Sequence, residues 1–127
     1  MSDLRLLQKE VRDFVDSRDW RKFQNTKELV LSIIAEASEM LQLFLWKDAS
    51  EIEDELKKNG DLLYHVKSEL ADVLFGCLAM ADQLNLDLEG IFRAKLDELK
   101  KRYPADEVRG RVVKRMEGAI EFHKFEK

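Results

Sequence analysis

The sequence contains only one cysteine, one proline and five glycines among its 127 residues. The single cysteine, Cys77, excludes a disulfide framework or a zinc-binding cysteine cluster within one chain. The shortage of proline and glycine, which interrupt helices and form tight turns, argues against a fold made of many short strands. Apolar residues recur instead at spacings of three and four. The sequence therefore predicts an all-α protein without a sheet.

Neither sign of charge is in large excess, since the net charge at pH 7 is -4. Such a small excess gives no reason to expect binding to a nucleic acid polymer or to an anionic membrane. No uninterrupted apolar stretch is long enough to span a bilayer, and the N-terminal MSDLRLLQKE lacks the pattern of a secretion signal. We therefore expect a cytoplasmic protein.

Capping signals place the first helix boundaries. Asn25 followed by Glu28 forms a capping box that starts the second helix. The segment Trp46-Lys47-Asp48 marks the end of that helix, and Ser50 followed by Glu53 starts a short, highly charged third one.

The remaining helices follow the same rules. A long helix runs from about Asp61 to Leu84, and Asp87 caps a further helix that ends at Tyr103-Pro104, because proline disfavours helical geometry in the residue before it. We predict a bundle of four to five helices over residues 1–104. The tail, residues 105–127, could be a docking helix, a lid or a disordered segment.

Two of the long predicted helices carry a pair of acids on their apolar side. Glu36 and Glu39 share a stripe with leucine and methionine, and Glu69 and Asp72 do so on the later helix. Residues at i and i+3 lie on one helical face, so the four carboxylates converge if the helices pack side by side. At about 4 Å and an effective dielectric near 20, each like-charge pair costs on the order of 4 kcal/mol. The pattern therefore requires something that neutralises the acids.

A divalent cation is the first candidate. Oxygen-only clusters suit hard cations, and Mg²⁺ binds through a few carboxylates together with water and substrate phosphates. A nucleoside triphosphate would supply those phosphates, and Glu39 is our choice for the group that deprotonates an attacking water. One alternative is a structural acid network paired with Lys or Arg. Another is a di-iron bundle, but neither Glu36 nor Glu69 begins the Glu-x-x-His pair that such sites use.

Three further residue types have both a structural and a functional interpretation. Trp20 and Phe23 could fill the end of a bundle or form a stacking surface for a base. Lys95 lies on the apolar stripe of the last long helix, where it could extend outward to solvent or face a phosphate. A surface role is expected for His65, one turn before Glu69.

Several motifs in a fixed order resemble the MazG-like all-α nucleoside triphosphate pyrophosphohydrolases, and within them the dCTP pyrophosphatases. Paired acids alone are only moderately specific, but their combination with aromatic and basic motifs is much more so. The matching stretches cover most of residues 14–104. They are FVDSRDWRKF (Phe14 to Phe23), Glu36-x-x-Glu39 with the following FLWK (Phe44 to Lys47), ELADVL (Glu69 to Leu74) and NLDL with KLDELKKRYP (Asn85 to Pro104).

The resemblance implies Mg²⁺-dependent hydrolysis between the α and β phosphates of a nucleotide, giving a nucleoside monophosphate and pyrophosphate. It also implies a homodimer or homotetramer whose sites are bordered by neighbouring chains. Gln24, Lys27-Glu28 and Leu99 depart from the dCTP pyrophosphatase pattern, and these departures affect base preference rather than metal chemistry. The implied site residues are Glu36, Glu39, Glu69 and Asp72 for the metal, Trp20 and Trp46 for base and sugar, and Lys95 for phosphate.

Overall fold

The structure of the protein, a computed structural model, describes residues 2–111, and these residues form helices and turns without a strand. This confirms the predicted all-α class, and the five helices of nine residues or more agree with the predicted four to five. None of the described helices is long and apolar enough to cross a membrane. The elements are α1 (Asp3–Ser17), a 3-10 turn (Arg21–Phe23), α2 (Thr26–Gln42), α3 (Ala49–Lys57), α4 (Asp61–Gln83), α5 (Leu88–Arg102) and α6 (Ala105–Val108).

Side-chain caps fix the starts of the first two helices. The hydroxyl of Ser2 accepts a hydrogen bond from the backbone N–H of Arg5 at 3.3 Å, and the Asn25 side chain accepts one from the N–H of Glu28 at 2.9 Å. Each cap satisfies a donor that has no partner within its helix. The predicted start of α2 at Asn25 is therefore confirmed.

The predicted boundary between α2 and α3 was wrong. Helix α2 ends at Gln42, and turns occupy residues 43–46 rather than a continued helix. Asp48, rather than Ser50, caps α3, because its carboxylate accepts the N–H of Glu51 at 2.9 Å and the hydroxyl of Ser50 at 2.8 Å. Apolar spacing continues past the last helical residue, so the pattern alone extends the helix too far.

The chain divides into two compact units, the first ending at Leu88 and the second beginning at Glu89. In the first unit, α4 packs chiefly against α2 and also contacts α1 and α3. The second unit contains the rest of α5 and α6, and residues 112–127 of the predicted tail lie outside the described residues. The predicted domain boundary at residue 104 stays a prediction. The core of the first unit is Val11, Val15, Leu29, Leu78 and Ala79.

Helices α2 and α4 are antiparallel. Ile33 lies against Gly76, whereas Glu36, one turn further along α2, lies beside Glu69 and Asp72, which come earlier on α4. Both glutamates therefore belong to the inner stripes along which the two helices pack.

Candidate metal centre

Three carboxylates from α2 and α4 meet at the contact between these helices. One oxygen atom from each of Glu36, Glu69 and Asp72 lies within 4.8 Å of the other two. We call these three residues the acid cluster. Glu36 and Glu69 are half-buried, and Asp72 is exposed. The side-by-side packing of the two acid-bearing helices brings these three predicted ligands together.

The cluster is poorly satisfied by the protein alone. The Oε2 atoms of Glu36 and Glu69 are both buried, and neither has a hydrogen-bond partner. An ionised carboxylate only accepts hydrogen bonds, so two buried carboxylate oxygens without a donor raise the free energy of the folded state. Within residues 2–111, no Lys or Arg side chain forms an ion pair with the cluster. Among the residues that the structure describes, these acids therefore have no basic partner.

The electrostatics of Glu36 follow from this crowding. Its pKa is raised to about 7, first by a proton-sharing contact with Glu69, then by burial, and then by the neighbouring Glu39 and Asp72. All of these causes raise the pKa. The neighbouring acids disfavour a negative charge on Glu36, and burial removes the water that would stabilise that charge. Without a cation, the cluster favours the protonated form of one of its members.

Glu39 lies close enough to Glu36 to contribute to this raised pKa. It is exposed, and it is outside the group of three oxygens that lie within 4.8 Å of one another. Its carboxylate thus borders the acid cluster from the solvent side. That position suits a group that meets a water or a phosphate rather than one enclosed at the helix contact.

The acid cluster fits a hard divalent cation such as Mg²⁺. All its donors are carboxylate oxygens, the donor class that Mg²⁺ prefers. Mg²⁺ usually takes only one or two carboxylates from the protein and completes its shell with water and phosphate. The exposed Asp72 leaves one side of the cluster accessible for such ligands. A bound cation would also partner the two orphaned glutamate oxygens.

Trp20 belongs to an aromatic group beside the helices that carry the acids. Its ring meets Phe14 edge to face with centroids 5.6 Å apart, and Phe14 meets Phe75 at 5.8 Å. Phe75 lies one turn after Asp72 on α4. Trp20 nevertheless remains 46% exposed. The ring thus packs against the fold on one side and has free surface on the other, so elements of both interpretations of this residue are present.

Phe75 did not stand out in the sequence, where it reads as one more apolar residue of the α4 run. Its i+3 spacing from Asp72 was the available signal. Only the packing of α1 across α4, which brings Phe14 to it, makes that spacing meaningful.

Trp46 stands apart from any core. It is 99% exposed, and its backbone has φ of 66°, in the left-handed region that bulky residues seldom adopt. Lys95 lies in the second unit, where it forms an ion pair with Glu98 at 2.8 Å. Ligand contacts by Trp46 and Lys95 stay predictions. His65 is exposed on α4, with its ring edge to face with Tyr64.

Comparison with known proteins places this geometry in a family. Residues 31–115 match the MazG-like family. The chain is 31% identical to dCTP pyrophosphatase 1 of Rattus norvegicus over 114 residues, and 32% identical to that of Mus musculus over 117 residues. Each alignment covers 90% of this chain but only 65% of the relative, so the chain spans somewhat less than two thirds of these relatives' length.

A solved structure agrees with these sequence relatives. A pyrophosphatase from Archaeoglobus fulgidus superposes with a TM-score of 0.71 at 30% identity, over 82% of this chain and 94% of the other. The family match spans both acid-bearing stretches of sequence, from within α2 to beyond α6. The chain therefore belongs to the MazG-like family.

Proposed function

We propose that this protein hydrolyses nucleoside or deoxynucleoside triphosphates to a nucleoside monophosphate and pyrophosphate, with Mg²⁺ as its cofactor. One observation carries the proposal: Glu36 and Glu69 each have a buried Oε2 atom without a hydrogen-bond partner, and a carboxylate oxygen of each lies within 4.8 Å of the other and of Asp72. The relatives named dCTP pyrophosphatase 1 and the pyrophosphatase from Archaeoglobus fulgidus support the reaction class.

In this proposal, Glu36, Glu69 and Asp72 would hold the metal ion, and Glu39 would be a fourth ligand or would orient the attacking water. The ion would offset negative charge on the phosphates during hydrolysis. Water adds across the bond between the α and β phosphates, and its proton must be accepted. Glu39 is the proposed acceptor, because it is exposed and borders the acid cluster. The products are the nucleoside monophosphate and pyrophosphate.

We propose a dCTP-like pyrimidine nucleotide as the substrate. The names of the relatives from Rattus norvegicus and Mus musculus support this choice. Trp20 packs on Phe14, which in turn packs on Phe75, one turn from Asp72. The exposed part of Trp20 offers a surface for a base. Trp46 and Lys95 are proposed as further contacts to the sugar or base and to phosphate.

A homodimer or homotetramer is part of the proposal. Large apolar side chains on α2 and in the turn after it are exposed, and monomeric proteins seldom expose many such groups together. A second copy of the chain would cover them and would also give Trp46 a packing partner. A cytoplasmic location stays a prediction from the sequence. The exposed apolar residues are Val30, Leu31, Ile34, Leu41, Leu45 and Trp46.

The alternative function is that of a helical protein that binds nucleotide, or another partner, without catalysis. The decisive experiment measures pyrophosphate release from all common nucleoside triphosphates and their methylated or oxidised forms, with and without Mg²⁺. Release that requires Mg²⁺ supports the proposal. Binding of a non-hydrolysable analogue without any release from the matching substrate would favour the alternative function instead.

Two variants connect the reaction to the residues. We expect Glu39→Gln and Asp72→Asn each to abolish turnover while the helical circular dichroism spectrum stays unchanged, because each removes charge at an exposed carboxylate rather than packing. Glu53→Gln, an equally conservative change at an exposed acid of α3, is the matched control and should retain activity. Near-normal rates in either site variant with Mg²⁺ present would contradict the assignment.

A further inference from the structure

An ion-pair network lies at the C-terminal end of α4, ten residues after Asp72 of the acid cluster. The carboxylate of Asp82 accepts the Nε of Arg12 on one oxygen at 2.5 Å and the Nη2 of Arg21 on the other at 2.7 Å. Arg21 also donates its Nε to Asp16 at 2.7 Å. We call these four residues the Asp82 network. It joins α1, the 3-10 turn and α4 through one carboxylate.

The Asp82 network is a partly buried ion-pair network rather than a contact between fully exposed side chains. The Asp82 side chain is only 7% exposed, whereas the two arginines that reach it are partly exposed. Burial alone raises the pKa of Asp82, but the guanidinium groups of Arg12 and Arg21 outweigh burial, and the net pKa is lowered. A desolvated carboxylate held by two guanidinium groups has little freedom to rearrange.

The network is attached directly to Trp20. Arg21 is the next residue along the chain, and it begins the 3-10 turn. Before Trp20, Asp19 has a left-handed backbone with φ of 53°. The backbone N–H of Trp20 donates to the carbonyl of Val15 at 3.1 Å. The segment that carries Trp20 is therefore held on one side by backbone hydrogen bonds from Asp19 and Trp20 to the end of α1, and on the other side by the Arg21 ion pairs.

Trp20 itself packs only partly against the fold. Its ring touches Phe14, which also meets Phe75. The guanidinium of Arg18 lies 3.9 Å from the Phe14 ring centroid and 6.0 Å from that of Trp20. With nearly half its surface free, the direction of the indole depends on the backbone segment rather than on an enclosing pocket. Asp82 lies ten residues after Asp72 on α4, about 15 Å along the helix axis. Changes at the network can therefore be separated from changes at the acid cluster.

We infer that Arg21 and Asp82 are positioning residues for substrate binding, which hold the Trp20 ring in the orientation that meets the base of the nucleotide. This inference rests on the proposed function. Without the Arg21 side chain, the 3-10 turn keeps its covalent connection but loses its hydrogen bonds to Asp82 and Gln83 of α4. The indole then samples more orientations, and the base loses part of its stacking surface. The carboxylates that hold the metal are unaffected.

The test compares Arg21→Ala with wild type in the pyrophosphate-release assay. Arg21→Ala perturbs the network less than a substitution of Asp82 does, because Asp82 keeps Arg12 as a partner and no buried charge is left unpaired. We expect KM to rise about fivefold or more, as for partial loss of a base stacked on an aromatic ring, while kcat at saturating nucleotide and Mg²⁺ stays within about twofold. Arg21→Lys should show a smaller rise in KM, since lysine keeps the charge but cannot bridge two carboxylates in the same way.

The matched control is Arg5→Ala. It removes another arginine to aspartate pair, Arg5 to Asp87 at 2.7 Å, which joins α1 to the residue before α5. Its KM should stay at the wild-type value. An equal rise in KM in Arg5→Ala, or an equal fall of kcat in Arg21→Ala, would overturn the inference, because either result indicates general destabilisation.

A fluorescence measurement tests the orientation of Trp20 without turnover. In a Trp46→Phe background, Trp20 is the only tryptophan, and its quenching by acrylamide reports its access to solvent. We expect quenching to increase in Arg21→Ala and in Asp82→Asn but not in Arg5→Ala. Unchanged quenching and unchanged KM would overturn the inference while the proposed function stands. A wild-type protein that releases no pyrophosphate from any nucleotide would instead remove the proposed function, and the inference with it.

Discussion

Gly76 and Ile33 set the distance between α2 and α4. A Cβ atom at Gly76 would lie 2.7 Å from the Cγ1 of Ile33, well inside the 3.5–4.0 Å or so at which carbon atoms pack best. The glycine is therefore in a helix interior because the neighbouring helix occupies the space of its side chain. Glu36 follows Ile33 by one turn and Asp72 precedes Gly76 by one turn, so this close approach also positions the acid cluster.

Gly76→Ala tests this relationship. Overpacking costs about 1–3 kcal/mol, whereas alanine in a helix recovers up to about 1 kcal/mol relative to glycine, so we expect a net loss of up to about 2 kcal/mol in the free energy of unfolding. Urea denaturation measures it. Gly60→Ala is the control, since a Cβ there meets nothing within 4 Å. A Gly76→Ala protein more stable than wild type would show that the helices are free to separate.

Glu69→Gln should stabilise the protein in the absence of metal. The new amide donates to a carboxylate oxygen of Glu36 that now has no partner, and one negative charge is removed, so we expect a gain in the stability of the folded state. Thermal unfolding in a chelator measures this gain. The same variant should lose the increase in Tm that Mg²⁺ gives wild type by binding the native state. Glu53→Gln, on the exposed side of α3, should change neither quantity. A Glu69→Gln protein less stable than wild type in chelator would contradict the account of the cluster.

The Asp82 network predicts a particular dependence of stability on pH. Although burial acts against it, the two guanidinium groups lower the pKa of Asp82 below the value of about 3.9 expected in the unfolded chain. A depressed pKa contributes stability that is fully present above the unfolded value and is lost as pH falls through the folded one. Asp82→Asn should therefore cost about 1–3 kcal/mol at pH 7, between the values for exposed and buried ion pairs.

Urea denaturation of Asp82→Asn and wild type between pH 7 and pH 3 measures the difference. We expect it to be constant down to about pH 5 and to shrink below about pH 4, as the wild-type carboxyl takes up its proton. A difference that stays constant to pH 3 would show that the network stabilises through packing rather than charge.

The exposed face of α2 predicts a change in assembly. Ile34 and Leu41 lie two turns apart on one side of the helix, and both are exposed. We expect Leu41→Glu to lower the mass of the wild-type assembly to that of a smaller species in sedimentation velocity, because a carboxylate cannot be buried against a second copy without a partner. Gln42→Glu adds the same charge to the neighbouring position and should leave the mass unchanged. An unchanged mass in Leu41→Glu would place the interface elsewhere.

Sequence patterns gave correct boundaries where a local interaction sets them. Asn25 and Glu28 form the cap of α2 within four residues of chain, and a four-residue pattern can identify it. The end of α2 escaped detection because the apolar spacing continues through residues 43–46 while the backbone turns away. Asp and Ser are about equally favourable as N-cap residues, so residue type does not distinguish Asp48 from Ser50. The direction of the backbone after Trp46 decides that Asp48 is the cap.

The sequence by itself determined that this protein is helical, and that Glu36, Glu69 and Asp72 lie on faces that turn toward other helices. Helical periodicity is a local property, so the spacing of apolar residues within a short stretch of sequence is enough to reveal it. The tertiary structure alone decided that these three carboxylates meet while Glu39 remains at the edge, that Gly76 admits Ile33, and that Asp82 is held by two arginines. Those relationships join residues far apart in the chain, and they depend on packing between helices, which no periodicity encodes.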